Sequence, residues 1–386
     1  MRVGIEAWGL SGDMRNTGMG EYTAQLLIGL ARHALKVQIF AYGGPREPRP
    51  EWLPINIRWR KVGRRLPYKF SALASRWLPL NRRLEADGID VFHCASVHWR
   101  PQFPQVPRPA CPVVVTLHDL IIQTYYDPRT LPFRQRTFAK WNLARALRAD
   151  RVVTVSEHSK SEIVRYTGCD PEHVRVIHNS IEFAPCRDRG VLSEFGIRPP
   201  YVLFAGSYEP RKNLVGAGIA FAQLMAEGMP HQFVAVVERN SGHAPAVIEQ
   251  LQQAGIGDRI RLVHSLPPEK LRALYTFADA LLFPSLAEGF GYPPLQAAAC
   301  GLPSVVSDLE PLHETLGGWP IFADPRNPTE IAAGLRRVLT DESIRADMAR
   351  RGPALAASFN PDRNIAEHLE TYFEVRDRHQ AVATVA

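Results

Sequence analysis

Hydrophobic positions in this chain fall into short apolar runs separated by polar loops and amphipathic stretches. Apolar runs of four to eight residues bounded by turn signals read as buried strands, and apolar residues spaced three and four apart read as helices. The first half offers strands at 2–8, 37–41, 89–93, 112–117, 151–156 and 174–178. Between them, 21–32 has helical spacing, with Tyr22, Leu26, Leu27 and Leu30 on one stripe, and 134–149 reads as a helix. Ser156, with Ser159 close by, is placed to cap the helix that follows its strand. The pattern breaks between 182 and 200, where Pro185, Gly190, Gly196, Pro199 and Pro200 mark a linker. It then restarts, with strands at 201–206, 233–237, 260–263, 280–283, 304–307 and 321–325. Helices are expected at 214–226, 267–277, 292–300, 329–339, 342–350 and 365–378, and 380–386 reads as a frayed tail. Strands alternating with helices predict parallel α/β architecture, here in two copies.

Length agrees with two copies, since 386 residues exceed one ordinary domain. A hydrophobic content of 45% supplies two cores, and no apolar run approaches the ~18 residues of a membrane span. The N-terminus enters a strand at once, without the apolar core of a signal peptide, so a cytoplasmic location is expected. Five cysteines (Cys94, Cys111, Cys169, Cys186 and Cys300) are too scattered for a zinc pattern or a disulfide framework and read as reduced thiols. The net charge is +7 and is unevenly spread. No acidic residue occurs between Glu51 and Glu85. That stretch holds Arg58, Arg60, Lys61, Arg64, Arg65, Lys69, Arg76, Arg82 and Arg83, interleaved with Trp52, Trp59, Tyr68, Phe70 and Trp77. An anionic membrane surface, through 58–83, and a solvated face are the leading readings of it. Nucleic acid fits it least and is not expected as a partner.

Chemistry concentrates in loops at the C-terminal ends of strands, where parallel sheets bind ligands. The main stretch is 284–303. Strand 280–283 runs into Glu288-Gly289-Phe290-Gly291, two glycines relax the loop, and Pro293 and Pro294 open a helix that Gly301 and Pro303 end. A helix N-terminus suits an anion. Glu288 can accept hydrogen bonds from sugar-like hydroxyls, and Gln296 can do the same without charge. The alternative is a turn on a packed helix with Glu288 exposed. Ser207-Tyr208-Glu209-Pro210-Arg211-Lys212-Asn213 follows strand 201–206, and its two cations before a helix make either a diphosphate site or a solvated basic turn. His118 ends strand 112–117, as a packing histidine or a ligand contact. Gly18 and Gly20 allow close backbone approach to a phosphate or sugar. The loop before them is too long for a dinucleotide fingerprint, and its third glycine is missing.

Together, Glu-Pro-Arg-Lys-Asn (209–213) and Pro-Ser-x-x-Glu-Gly-Phe-Gly-x-Pro (284–293) resemble the retaining GT-B glycosyltransferases of family 4, and within them mannosyltransferase-like members that build bacterial polysaccharides. The likeness spans nearly the whole chain. It implies an α/β GT-B fold of two Rossmann-like domains facing each other across a cleft. An acceptor-side domain at 1–184 would carry the returning C-terminal helix (about 361–386), and 198–360 would bind the nucleotide sugar. The likeness also assigns roles. Lys212, with Arg211, would hold the donor diphosphate, and Glu288 the sugar hydroxyls. The backbone at Gly289, Phe290 and Gly291 would approach sugar or phosphate, and Gly18 and Gly20 the same phosphates. His118 would touch the transferred sugar. The donor would be a nucleoside-diphosphate sugar, GDP-mannose favoured, and the acceptor a glycan or lipid-linked glycan; the basic segment suggests docking on the inner face of the cytoplasmic membrane, where a lipid-linked acceptor would be found. No metal is expected, since there is no Asp-x-Asp motif. Three positions depart from the family: Gln296 replaces a glutamate that binds ribose, Ser207 replaces a common arginine, and His178-Asn179-Ser180 replaces Pro-Asn-Gly. A non-catalytic partner subunit, or an epimerase or hydrolase on the same fold, are the rival readings.

Overall fold

The structure, a computed structural model, describes residues 1–8, 10, 15, 17–33, 36–45, 47–62, 77–97, 106–126, 132–238, 241–264 and 266–385. The chain divides into two compact units, Met1–Ser180 with Asn360–Ala386, and Ile181–Phe359. The stretch 181–200 therefore belongs with the second unit.

In the first unit the strands are β1 (Arg2–Glu6), β2 (Gln38–Gly43), β3 (Arg58–Lys61), β4 (Val91–Cys94), β5 (Val113–Thr116), β6 (Arg151–Thr154) and β7 (Val174–Val176). They form one parallel sheet in the order β3-β2-β1-β4-β5-β6-β7. Its two faces carry separate cores, because successive side chains on a strand point to opposite faces. Val3, Ile5, Val91, Val114 and Val153 pack with Leu26, Leu27 and Leu30 of the Gly18–His33 helix. Phe40, Phe92, Val113, Val115 and Val152 pack with Leu84 and Leu143 on the other side. The C-terminal helix, Pro361–Val385, adds Ile365, Tyr372 and Val375 to the first of these cores. Gly29 makes that seat possible, since a Cβ there would meet Ile365 Cγ1 at 2.6 Å.

The second unit repeats the plan with β8 (Tyr201–Ala205), β9 (Gln232–Val237), β10 (Ile260–His264), β11 (Ala280–Phe283), β12 (Ser304–Ser307) and β13 (Ile321–Ala323). The order β10-β9-β8-β11-β12-β13, all parallel, is the doubly wound order in which the chain reverses direction between the first strand and the fourth. Such a switch point leaves a crevice at the strand C-termini. The loops after β8 and β11 flank it.

Several expectations need correction. The helix expected from Glu21 begins at Gly18, so both glycines lie in its first turn. The tail expected to fray after 380 is helical to Val385. The basic segment contains an edge strand, β3, which pairs with β2. Its aromatic Trp59 packs over Gly43, where a Cβ would come within 2.1 Å of the indole. Its charge is also partly paired: Arg60 and Arg83 both donate to Asp87, at 3.1 and 2.9 Å. Residues 63–76 of that segment lie outside the described residues. Among the described residues no helix is long and apolar enough to cross a membrane.

Candidate functional site

The loop after β8 is shaped by its own short-range bonds. The Ser207 hydroxyl accepts the Glu209 N–H at 3.2 Å, and Pro210–Lys212 forms one turn of 3-10 helix. Asn213 then takes a left-handed conformation (φ 57°), which asparagine tolerates. Its Oδ1 accepts the Gly216 N–H and caps the Leu214–Ala226 helix. Its Nδ2 donates to the carbonyls of Pro284 at 3.0 Å and Pro325 at 2.7 Å. One side chain thus fastens the loops after β8, β11 and β13 together.

That fastening brings two sequence-predicted groups into contact. Lys212 Nζ donates to Glu288 Oε1 at 2.6 Å, and Arg211 Nη1 lies 3.8 Å from Glu288 Oε2. Arg211 is held by Glu209 Oε2 at 2.9 Å, and the Lys212 ammonium sits 5.4 Å from the Phe283 ring centroid. The Lys212 and Glu288 side chains are 13% and 8% exposed, so this is a desolvated pair. Burial would raise the Glu288 pKa, but Lys212 and Arg211 outweigh it and hold the carboxyl below its ordinary range. Burial lowers the Lys212 pKa, and Arg211 acts in the same direction, against the raising effect of Glu288. The result is an ionised carboxylate beside two cations, with Glu209 balancing Arg211, at the switch point. An anion entering there gains attraction from Lys212 and Arg211 while Glu288 remains an acceptor for hydroxyls.

The loop after β11 presents backbone. Gly291 (φ 99°) precedes the Tyr292–Ala299 helix, and a Cβ on it would meet Leu312 at 2.5 Å. The Phe290 ring is buried against Tyr292 and Phe359, and its carbonyl accepts the Thr315 hydroxyl at 3.1 Å. Because the helix starts at Tyr292, Pro293 and Pro294 remove two donors from its first turn. The first turn of this helix therefore offers fewer N–H groups than one without prolines. Gln296 lies in the second turn of this helix and is half-buried.

In the first unit, Gly18 is exposed, whereas the Gly20 N–H already donates to Thr17 Oγ1 at 3.1 Å. His118, two residues beyond β5, donates from Nε2 to the Ala95 carbonyl at 3.1 Å. Its ring meets the Tyr22 ring edge-on, centroids 4.7 Å apart. Sequence reasoning assigned no role to Asn213, Glu238 or Glu6. Glu238 accepts the Tyr208 N–H at 3.2 Å directly after β9. Glu6, buried at the end of β1, accepts the Ser96 N–H at 3.2 Å. Their strand-end positions were the available signal. Among the described residues no group of three or more His, Cys, Asp or Glu is placed to hold a metal ion.

Residues 16–184 match the model of Glycosyltransferase Family 4, and residues 193–354 that of Glycosyl transferases group 1. The O-antigen chain mannosyltransferase B of Escherichia coli is 30% identical over 267 residues, covering 67% of this chain and 69% of that protein. A D-inositol 3-phosphate glycosyltransferase of Acidothermus cellulolyticus is 26% identical over 399 residues, covering 95% of this chain and 88% of that protein. Against the longer serotype-specific mannosyltransferase WbdA of Escherichia coli, 26% identical, the match covers 64% of this chain and 31% of that protein. Among solved structures, HepE of Anabaena, crystallised with UDP and glucose, superposes with a TM-score of 0.72 at 16% identity, covering 96% of this chain and all of that one. At that identity the likeness speaks for the fold. Both halves of the chain match, and the parallel sheets agree with that fold, so the chain belongs to glycosyltransferase family 4 and has the GT-B fold of two Rossmann-like units.

Proposed function

We propose that this glycosyltransferase moves mannose from GDP-mannose to a glycan or lipid-linked glycan in bacterial polysaccharide synthesis, with retention of anomeric configuration. The observation that carries the nucleotide-sugar reading is the buried Lys212–Glu288 pair with Arg211 beside it, at the switch point of the second unit. Mannose is supported by the O-antigen mannosyltransferase among the relatives, and a nucleoside-diphosphate sugar by the UDP and glucose of the HepE complex.

In this reading Lys212 and Arg211 bind the diphosphate and stabilise the charge that grows on it as the glycosidic bond breaks. Glu288 accepts hydrogen bonds from the donor sugar's hydroxyls. The N–H groups of Gly289, Phe290 and Gly291 meet the sugar or phosphate. Gln296 contacts the ribose as a neutral acceptor, and the Ser207 hydroxyl keeps the diphosphate loop in its turn. His118 touches the transferred sugar, and Gly18 lets backbone approach the phosphates, with Gly20 shaping the turn. The bond from the anomeric carbon to the diphosphate oxygen breaks on the face where the acceptor oxygen bonds. The acceptor proton passes to the departing phosphate, so no carboxylate nucleophile is needed. The positive side chains take the part that a metal cation plays in other transferases. Work at the cytoplasmic face of the membrane is supported by exposed Arg58, Lys61 and Arg82 in the basic segment. Vesicle co-sedimentation that ignores anionic lipid and salt would remove that element. A panel of nucleotide sugars and acceptors, with the product anomer read by proton NMR, tests the reaction. Transfer from GDP-mannose with an α-linked product is expected. Inversion, or preference for another donor, would overturn the corresponding part.

A further inference from the structure

A chain of hydrogen bonds runs through the first unit, from the C-terminal helix to the ring that touches His118. Its direction follows from one fixed acceptor. His368 Nδ1 lies 2.8 Å from the Asn364 carbonyl, which can only accept, so Nδ1 carries the proton. Burial keeps this imidazole neutral, with its pKa lowered to about 4, so Nε2 is an acceptor. The Tyr22 hydroxyl, 2.9 Å away, donates to it. Having given its hydrogen, Tyr22 accepts from the Thr116 hydroxyl at 2.7 Å. Thr116 then accepts from His93 Nε2–H at 2.7 Å, and His93 Nδ1 accepts from the Tyr372 hydroxyl at 2.7 Å. Each hydroxyl and ring N–H hydrogen in the chain is given once, in a consistent sense. All five side chains are buried. Tyr372, like His368, belongs to the C-terminal helix, so both ends of the chain lie there.

Buried networks with every member satisfied hold one geometry and resist alternatives. Here the held geometry includes the Tyr22 ring, whose edge-to-face contact with His118 helps to fix that imidazole, as does the bond to the Ala95 carbonyl. We propose that His368 is a positioning residue for glycosyl transfer, setting Tyr22 by the bond to its hydroxyl and, through the Tyr22 ring, the imidazole of His118. This rests on the reading of His118 as the contact to the transferred sugar. The C-terminal helix then contributes to turnover as well as to stability, although none of its residues belongs to the site.

The test compares His368→Phe, which fills the volume without an acceptor, with His368→Gln, which restores an acceptor for Tyr22. Both are made alone and on a His118→Ala background. Misplacing a reacting group by about 1 Å can cost ~100-fold. His368→Phe is expected to lower kcat by at least ~10-fold with the donor KM nearly unchanged, and His368→Gln to recover most of it. On the His118→Ala background, His368→Phe should cost nothing further, since residues acting through one group are not additive. Wild-type kcat in a folded His368→Phe protein overturns the inference, as does a loss that multiplies with that of His118→Ala. If His368→Phe does not fold, Tyr22→Phe carries the same comparison, with full kcat again counting against the inference. Full turnover by His118→Ala itself overturns the sugar-contact reading. That outcome is distinct from an impaired His118→Ala beside an unimpaired His368→Phe.

Discussion

Acidification should destabilise the first unit well before its carboxylates titrate, because two of its core histidines are held neutral. His368 is buried against Tyr22 and the Asn364 carbonyl, with His93 and Tyr372 in the same cluster. Burial is the main cause that lowers its pKa, and the field of Arg175 acts the same way, against the raising effect of the Asn364 carbonyl. Its pKa falls from an ordinary 6.5 to about 4. In the unfolded chain the ring takes a proton below 6.5; in the fold it resists until about 4. Its contribution is therefore complete above 6.5 and is lost as pH falls toward 4. At ~1.4 kcal/mol per pH unit this difference amounts to about 3 kcal/mol when complete, and to ~2 kcal/mol at pH 5. His93, also fully buried and lowered chiefly by burial, adds in the same direction. Six of the seven tryptophans lie within 1–180, so urea unfolding followed by tryptophan emission reads mainly this unit. The wild-type midpoint should drop between pH 7.5 and pH 5, and His368→Gln should drop less, by about 2 kcal/mol. Equal drops in the two proteins would refute the claim that His368 is neutral in the fold.

Removing one member of a desolvated ion pair strands the other charge. Glu288→Ala should therefore cost about 3–5 kcal/mol, and the double variant Lys212→Met with Glu288→Leu less than the sum of the singles, by denaturant unfolding of each. Gly29→Val should destabilise the seat of the C-terminal helix by about 1–3 kcal/mol, read as a lowered Tm, since even a Cβ there meets Ile365 at 2.6 Å. Gln296→Glu should tighten donor binding if this position meets the ribose, because a charged acceptor makes a hydrogen bond roughly twice as strong. Unchanged affinity by calorimetry would count against that assignment. Asn213→Ala should loosen three loops at once. It should raise the donor KM and cost roughly 1–2 kcal/mol from the helix cap alone, measured by steady-state kinetics and thermal melting.

The repeated run of strands and helices was legible because buried parallel strands are short and apolar, and their loops carry Gly, Pro and charge. That is why 201–213 and 280–291 could be read from the residues alone. β3 was not legible. Arg58-Trp59-Arg60-Lys61 looks like surface, and only the docking of Trp59 over Gly43 and the pairing of Arg60 with Asp87 make it an edge strand. The reach of Asn213 to Pro284 and Pro325 likewise depends on three loops meeting at one end of the sheet. The His368–Tyr22 bond joins residues 346 apart, beyond any local periodicity. The helix at 292–299 was legible, and so were the two prolines in its first turn, which reduce the N–H groups it offers.

The central claim is that Lys212 and Glu288 form a nucleoside-diphosphate sugar site, and calorimetric titration of GDP-mannose and GDP into the wild-type protein and Lys212→Met tests it most directly. The account predicts saturable binding to the wild type and a weakening of about 10- to 100-fold in Lys212→Met, the loss of one charge-assisted contact to phosphate. Binding of GDP to both proteins with equal affinity, or no binding of any nucleotide to the wild type at millimolar concentration, would contradict it.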